Sequence, residues 1–466
     1  MHMLFLLCMS TYLAIDLTGA YAAGEEHDEF GIILDGGSSG TKLKIYKWTR
    51  TDADDSSGLP ISELQLVEKL KFTPGISSKA FKLDEIPDYL GPILLTATSI
   101  VPAEKHATTP IYFMATAGLR VLPVNATEGL LEAVERNLQD KKCNPFLVAA
   151  RGAARVISGE EEGVYAWMAA NYLRGFFSTD RSGQAVEPVG VLEMGGGSTQ
   201  IAFLPSHSLY AHMYPVRLGA VTYRLYAHSY LLYGQNYILQ RVNDYLVAIA
   251  DPAVDDVPNP CMLSGDNTTH TAFGDSVHIY GSANVTKCLE IIDIFLKSAD
   301  DSWCNPKPCA IGAVYQPPVA RTDFYAISAF SYAPRHLQAV DDHGLLDIPL
   351  LKENAIAYCE KPLSVVVSEG LPAAYASPYC MMGLYIPALL LDAYGLSPQR
   401  NRVFLHSYIN HHEIDWTLGA MLQHIEVANE GDCEEFTSGG NCHHAAVSKC
   451  RFIALMTILV AVVLGS

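Results

Sequence analysis

The sequence predicts an α/β protein built from two related lobes, and three observations carry that expectation. The 466-residue chain is 49% hydrophobic, which is enough to bury the cores of two domains. The stretch GIILDGGSSGTKLKIYKW, Gly31 to Trp48, has a counterpart in VGVLEMGGGSTQIAF, Val189 to Phe203. The two stand about 160 residues apart, one domain length, as a duplicated lobe requires.

Charged residues make up only 17% of the chain, and 35 Gly with 25 Pro is no low-complexity composition, so the chain is expected to be ordered. The formal net charge is −19 and no basic run occurs, which excludes sequence-independent nucleic-acid binding. A phosphate-bearing ligand would therefore need a cation and backbone N–H groups for much of its neutralisation.

In chain order, Leu4 to Ile15 is apolar and Ala20-Tyr21-Ala22 follows, the pattern of a cleaved signal peptide over residues 1–22. An uncleaved anchor is the alternative, but about 12 apolar residues fall short of a bilayer. Next, Ile32 to Leu34 reads as a buried strand and Lys42 to Tyr46 resumes strand alternation, so Asp35-Gly-Gly-Ser-Ser-Gly-Thr41 is a strand–turn–strand loop. A P-loop or Rossmann loop passes into a helix instead, and no GK[ST] is present. Glycines let a backbone approach phosphate closely, and successive N–H groups form an anion nest. Asp35, at the strand end, is placed to hold a divalent cation directly or through its waters.

PIYFMATAGLRVLP, Pro110 to Pro123, reads as a strand over Ile111 to Met114 that exits into small residues suited to close packing against a ligand. VISGEEEGVYAWMAANYL, Val156 to Leu173, opens an amphipathic helix with three glutamates. One or two of them serve the helix dipole, which leaves a carboxylate able to take a proton from water. The second loop then repeats the first, with Glu193 at the position of Asp35. Further on, Tyr230 to Ala250 and Val285 to Lys297 read as core helices of the second lobe.

Of the 11 cysteines, one (Cys8) lies in the leader, and the others suit a disulfide set in a secreted chain. Cys304 and Cys309 bracket NPKP as a tight local bridge, with Cys359–Cys380 and Cys261–Cys288 as the next pairings, although spacing leaves the connectivity open. No CxxC occurs, which argues against structural zinc. Sequons at Asn125, Asn267 and Asn284 fit a lumenal or extracellular chain. His406, His411, His412, His443 and His444 lack metal-ligand spacing and read as exposed or locally bonded; Trp167 and Trp416 read as packing residues. At the C-terminus, Phe452 to Leu464 is apolar and follows Ser438-Gly439-Gly440 and a polar spacer. That pattern reads as a glycolipid-anchor signal or a short transmembrane helix, and either tethers the protein to a membrane.

Both loops, ATAGLR and GEEEG, in this order, resemble the conserved regions of the ecto-apyrases, the nucleoside triphosphate diphosphohydrolases. DWTLGAML (Asp415 to Leu422) resembles a fifth region, and SAFSY (Ser328 to Tyr332), Cys304/Cys309 and Cys359/Cys380 also have counterparts there. The resemblance runs from Gly31 to Leu422. It implies an α/β fold of two RNase H-like (actin-like) lobes with an interlobe nucleotide cleft. Residues 30–157 with 402–428 would form lobe I and 158–401 lobe II, followed by a spacer at 429–451 and a tail at 452–466. It also implies Ca²⁺- or Mg²⁺-dependent removal of terminal phosphates from nucleoside tri- and diphosphates, at the cell surface or in a Golgi or ER lumen.

Carried over residue by residue, Glu162 matches the catalytic base, and Asp35 and Glu193 match the acids that orient the metal's water shell. Gly37, Ser38, Ser39 and Gly40, with Gly195, Gly196, Gly197 and Ser198, match the phosphate loops. Thr116, Ser198 and Gln200 match residues that place the attacking water, and Tyr332 and Tyr379 are the candidates for stacking on the base. The chain departs from the family at Glu193, usually Asp, and at Gly40, where several members carry a larger residue. An exopolyphosphatase shares the two-loop plan, but DGGSSGT with ATAGLR, the leader and the cysteines favour the apyrase. A non-catalytic nucleotide-binding surface protein is the alternative of another class.

Overall fold

The computed structural model describes residues 28–50, 63–148, 152–177, 186–219, 221–251, 256–272, 274–297 and 302–435. The expectations for the leader, the anchor signal, the apolar tail, His443 and His444 lie outside these residues.

The first sheet comprises β1 (Asp28–Gly36), β2 (Thr41–Thr49), β3 (Gln65–Phe72), β4 (Ile111–Ala115) and β5 (Ala154–Val156), in the order β3-β2-β1-β4-β5. β1, β2 and β3 are antiparallel, and β4 and β5 run parallel to β1. Central β1 is buried on both faces from Phe30 to Gly36, as its continuous apolar run requires, whereas edge strand β3 is largely exposed. α1 (Ile86–Ile100) and α3 (Val124–Gln139), separated by the short α2 (Ala117–Arg120), cover one face. They bury Leu90, Ile93, Leu94 and Ala97, and Leu130, Val134 and Leu138, at helical spacing.

After α4 (Gly159–Leu173) the second sheet begins with β6 (Gly190–Met194), β7 (Ser198–Phe203), β8 (Met213–Leu218) and β9 (Val221–Leu231). Next come α5 (Gln235–Ile249), a small sheet of β10 (Asp256–Asn259), β11 (Asn267–Ala272) and β12 (Asp275–Gly281), and α6 (Val285–Leu296). Then β13 (Phe324–Ser328) leads through α7 (Tyr332–His336), α8 (Ile348–Cys359), α9 (Leu363–Ser368) and α10 (Ala373–Ala388) to β14 (Val403–Phe404) and α11 (Trp416–Glu435). The order β14-β13-β6-β7-β9-β8, read from the other edge without β8, repeats that of the first sheet. β6, β7 and β9 are antiparallel, and β13 and β14 parallel to β6 follow the same rule. An RNase H-like sheet thus occurs twice, which is the actin-like arrangement that the family resemblance implies.

Three local expectations are corrected. The stretch from Tyr230 is not helical from its start: Tyr230 pairs with Thr199 in β9, and α5 begins only after Gly234. Val403–Phe404 pairs with Phe324–Tyr325, so the chain is still in the second sheet just past residue 402. Nor is α4 amphipathic: Gly163 to Asn171 are all buried, because the helix lies between the sheets against α11. The two helices cross at Gly419, where a Cβ would fall 1.9 Å from the Tyr165 carbonyl oxygen. Trp167 and Trp416 are buried, as expected for packing residues.

The three expected disulfides, Cys261–Cys288, Cys304–Cys309 and Cys359–Cys380, all lie in the second half of the chain. His411 is exposed, His412 pairs with Glu63 at 3.2 Å and His406 stacks on Phe404. The segment Ala373–Ala393 is long and apolar enough to cross a membrane, but most of it is buried inside the protein.

α11 is tied to the first sheet by a polar anchor. Asp415 caps the helix, accepting the Thr417 amide at 2.9 Å and its hydroxyl at 2.6 Å, and it pairs with Lys44 of β2. Tyr46 adds a bond to the Thr417 hydroxyl at 2.7 Å. Lys44 is wholly buried, so its removal strands a carboxylate in a site of low polarity. Lys44→Ala is expected to cost about 3 kcal/mol, measured as a lowered urea midpoint.

Candidate active site

The two Gly/Ser loops are the same hairpin made twice. Gly36 opposite Thr41 closes the first ladder and Met194 opposite Thr199 closes the second, which leaves Asp35 and Glu193 in matching positions. Each turn closes with the same bond, Gly37 N–H to Gly40 O and Gly195 N–H to Ser198 O, both 3.0 Å. The amides of Ser38, Ser39, Gly196 and Gly197 donate to no backbone carbonyl among the described residues, as an anion nest requires.

Each loop is backed by a glycine that leaves no room for a side chain. A Cβ at Gly75 would lie 2.4 Å from Ser38 O, and one at Gly234 would lie 2.4 Å from Ser198 N. Behind the second loop, the first amides of α5 donate to Gly195 O (3.0 Å) and Gly196 O (2.9 Å), turning those carbonyls towards the helix. The small residues after β4 fit between the loops: a Cβ on Gly118 would meet Ser38 Cα at 2.7 Å, and one on Gly197 would meet Ala117 Cβ at 2.7 Å. ATAG thus packs against the loops themselves.

Between the loops lies a cavity of about 350 Å³, lined by Asp35, Gly37 to Gly40, Thr116, Glu162, Glu193, Gly195 to Ser198 and Tyr332. Gln200 stands behind it, with its Nε2 2.7 Å from Ser198 Oγ, 3.1 Å from Ser229 Oγ and 3.4 Å from Glu162 Oε2. The Thr116 hydroxyl makes no capping bond to α2, so it is not committed to the helix. At the equivalent exit of β13 the register puts Ala329, so only the first lobe offers a hydroxyl there.

The three glutamates of α4 have separate fates. Glu161 forms a capping box with Ser158 and pairs with Arg155 at 2.7 Å. Glu160 accepts the Ser229 amide at 3.4 Å. Glu162 alone faces the cavity, buried and held by Arg120 Nη2 at 2.7 Å. Burial pushes the Glu162 carboxyl above the usual range, and Arg120 opposes it. Arg120 also donates to Ile157 O at 2.9 Å, which orients its guanidinium.

The remaining acids are crowded. Asp35 pairs with Lys42, directly opposite it across the hairpin, at 3.1 Å. Asp415, also in the cavity wall, is raised by burial, but Lys44 and Lys42 outweigh that and hold it far below the usual range. Glu193 faces Gln200 instead of a cation. Burial, then the Glu162 and Asp415 charges, pushes it well up, and among the described residues its Oε2 has no partner. A buried carboxylate oxygen without a donor, beside Asp35, fits a divalent cation. Among the described residues no three His, Cys, Asp or Glu side chains converge on a point, so such an ion would take waters and phosphate oxygens as further ligands.

Tyr379 does not line the cavity: it is half-buried, 6.0 Å from Tyr375 and 5.1 Å from His336. Burial, then the Tyr375 and Tyr332 hydroxyls, push its phenol up. Tyr375 precedes it by one helical turn and is half-exposed. Sequence reasoning missed Arg120, Lys42, Lys71 and Asp415. Asp415 and Lys71 meet the loops only through tertiary packing, while Lys42, directly opposite Asp35 in the hairpin, could have been found.

A model of the GDA1/CD39 (nucleoside phosphatase) family matches residues 21–438. The chain belongs to that family. Its GDA1/CD39 relatives include mouse ectonucleoside triphosphate diphosphohydrolase 1, 29% identical over 94% of this chain and 88% of the relative. Rat ectonucleoside triphosphate diphosphohydrolase 8 is 32% identical over 84% of this chain and 82% of its own length. A solved nucleoside triphosphate hydrolase from Neospora caninum shares the fold, with a TM-score of 0.63 over 87% of this chain and 94% of that one, at 15% identity. The chain is accordingly a hydrolase of the nucleoside phosphatase class.

The backing glycines provide a test of the loop geometry. Gly234→Ala is expected to cost about 1–3 kcal/mol through overpacking, and to lower nucleoside phosphatase turnover more steeply than it lowers the melting temperature. Turnover at the wild-type level would show that the second loop tolerates displacement.

Proposed function

We propose that this chain hydrolyses the terminal phosphate of nucleoside tri- and diphosphates, with Ca²⁺ or Mg²⁺, using Glu162 as general base. The observation that carries this reading is the place of Glu162, a buried carboxylate of raised proton affinity facing the cavity between two phosphate-type loops. Burial raises its proton affinity and the Arg120 guanidinium opposes that rise, both acting at the carboxyl that would accept the proton.

In this reading the amides of Ser38, Ser39, Gly196 and Gly197 hold the phosphate oxygens. Thr116, Ser198 and Gln200 orient a water beside Glu162. Its oxygen attacks the terminal phosphorus in line, its proton passes to a Glu162 oxygen, and the bond to the bridging oxygen of the inner phosphate breaks. Asp35 and Glu193 would hold the cation, whose charge offsets that of the phosphates. Tyr332, half-exposed at the cavity edge, would stack on the base, with Tyr379 as a second candidate outside the cavity wall.

The three disulfides support an oxidising compartment, the cell surface or a secretory lumen. The C-terminal apolar segment would tether the protein there.

The test is phosphate release from a panel of nucleoside tri- and diphosphates with Ca²⁺, Mg²⁺ or EDTA. EDTA should abolish release, and Glu162→Gln should lower kcat about 100-fold or more; near-normal turnover would remove Glu162 from the base role. The pH profile gives a second check. Arg120 opposes the upward push on Glu162, so Arg120→Gln raises the carboxyl further. Because only the ionised form accepts a proton, the acid limb of kcat/KM should move to higher pH in that variant.

A further inference from the structure

Four lysines form a square on the face of the first sheet that reaches the cavity. Lys42 and Lys44 lie two apart on β2, Lys69 and Lys71 two apart on β3, and the register sets Lys42 opposite Lys71 and Lys44 opposite Lys69. Residues two apart in a strand share a face, and like charges directly opposite one another are destabilising. Three corners are neutralised, each by its own carboxylate: Lys42 by Asp35 at 3.1 Å, Lys44 by Asp415, and Lys69 by Glu413 at 2.6 Å.

The fourth corner differs. Among the described residues Lys71 forms no ion pair; its ammonium donates to the Ser39 hydroxyl at 3.0 Å, at the tip of the first loop. An ammonium has three donors, and Lys71 lines the cavity. Its stem lies over Gly40, where a Cβ would fall 2.6 Å from Lys71 Cε and 2.7 Å from Phe72 O. The glycine thus leaves open the groove along which the lysine reaches the loop.

We propose that Lys71 binds the phosphate chain of the substrate, with a non-bridging phosphate oxygen as the counter-ion missing from the fourth corner, held jointly with the Ser39 hydroxyl. This rests on the phosphohydrolase reading of the cavity and deepens it: the first loop recognises polyphosphate charge through a side chain as well as through its amides. Lys71 lies outside the Glu162–Gln200–Ser198 group, so it sets affinity and not the rate of the chemical step.

The test compares Lys71→Ala, Lys71→Arg and Lys69→Ala in the full chain, by steady-state hydrolysis of ATP and by calorimetric titration with inorganic tripolyphosphate. Lys71→Ala should raise KM for ATP about tenfold, with kcat within about twofold, and weaken tripolyphosphate binding to the same degree. Lys71→Arg should recover most of both, and Lys69→Ala, which removes an equal charge already matched by Glu413, should leave both unchanged. An unchanged KM and Kd in Lys71→Ala, an equal loss in Lys69→Ala, or no tripolyphosphate binding by the wild type would overturn the proposal. Absence of ATP turnover in the wild type would instead overturn the nucleotide reading, and the titration would still decide the role of Lys71.

Discussion

Carboxylates from both lobes meet in one small cavity, and their mutual repulsion is the constraint that the surrounding structure has to answer. Asp35 comes from the first hairpin, Glu193 from the second, Glu162 from the helix between the sheets and Asp415 from the cap of the last helix. Two buried like charges a few ångströms apart raise each other's proton affinity. The fold answers with fixed cations on three of the four: Lys42, Arg120 and Lys44. Glu193 is the exception: among the described residues its Oε2 has no partner, and burial with the neighbouring carboxylates raises its proton affinity.

The duplication explains how such a cluster is assembled at all. One hairpin supplies one acid and one set of free amides, and the second hairpin doubles both. Two RNase H-like sheets placed around a shared helical layer bring the hairpins face to face. ATAG then fills the gap between them with residues so small that the loops come within contact of its backbone. The two halves are unequal, however. A lysine faces the acid in the first and a glutamine in the second, and a threonine leaves β4 where an alanine leaves β13. Symmetry supplies two matching sets of loop amides, and the departures from it give the acids of the two halves different surroundings.

Much of this was legible because its determinants are local. The hairpins are written in a dozen contiguous residues each, and three glutamates opening a helix leave one carboxylate over, although it is the Ser158/Glu161 capping box in the structure that decides which is spent on the helix end. Where the reading failed, a partner distant in sequence decided. The apolar run from Tyr230 looks helical alone, but its first residues are claimed by β7. The burial of α4 on every side depends on α11, more than 200 residues later. The lysine square was invisible for the same reason: Lys42 and Lys71 become neighbours only through the register of β2 and β3.

The crossing of α4 and α11 limits how the molecule can move. At Gly419 the helix backbones touch so closely that a single added carbon would collide with the Tyr165 carbonyl. Helices in such contact cannot draw apart without opening a void, and sliding would drive a bulkier neighbour into the same space. Rotation about the contact remains open. The crossing lies about one helical turn from Glu162 on α4 and from Asp415 at the start of α11, so the same contact that bars separation also fixes the spacing of two carboxylates in the cavity wall.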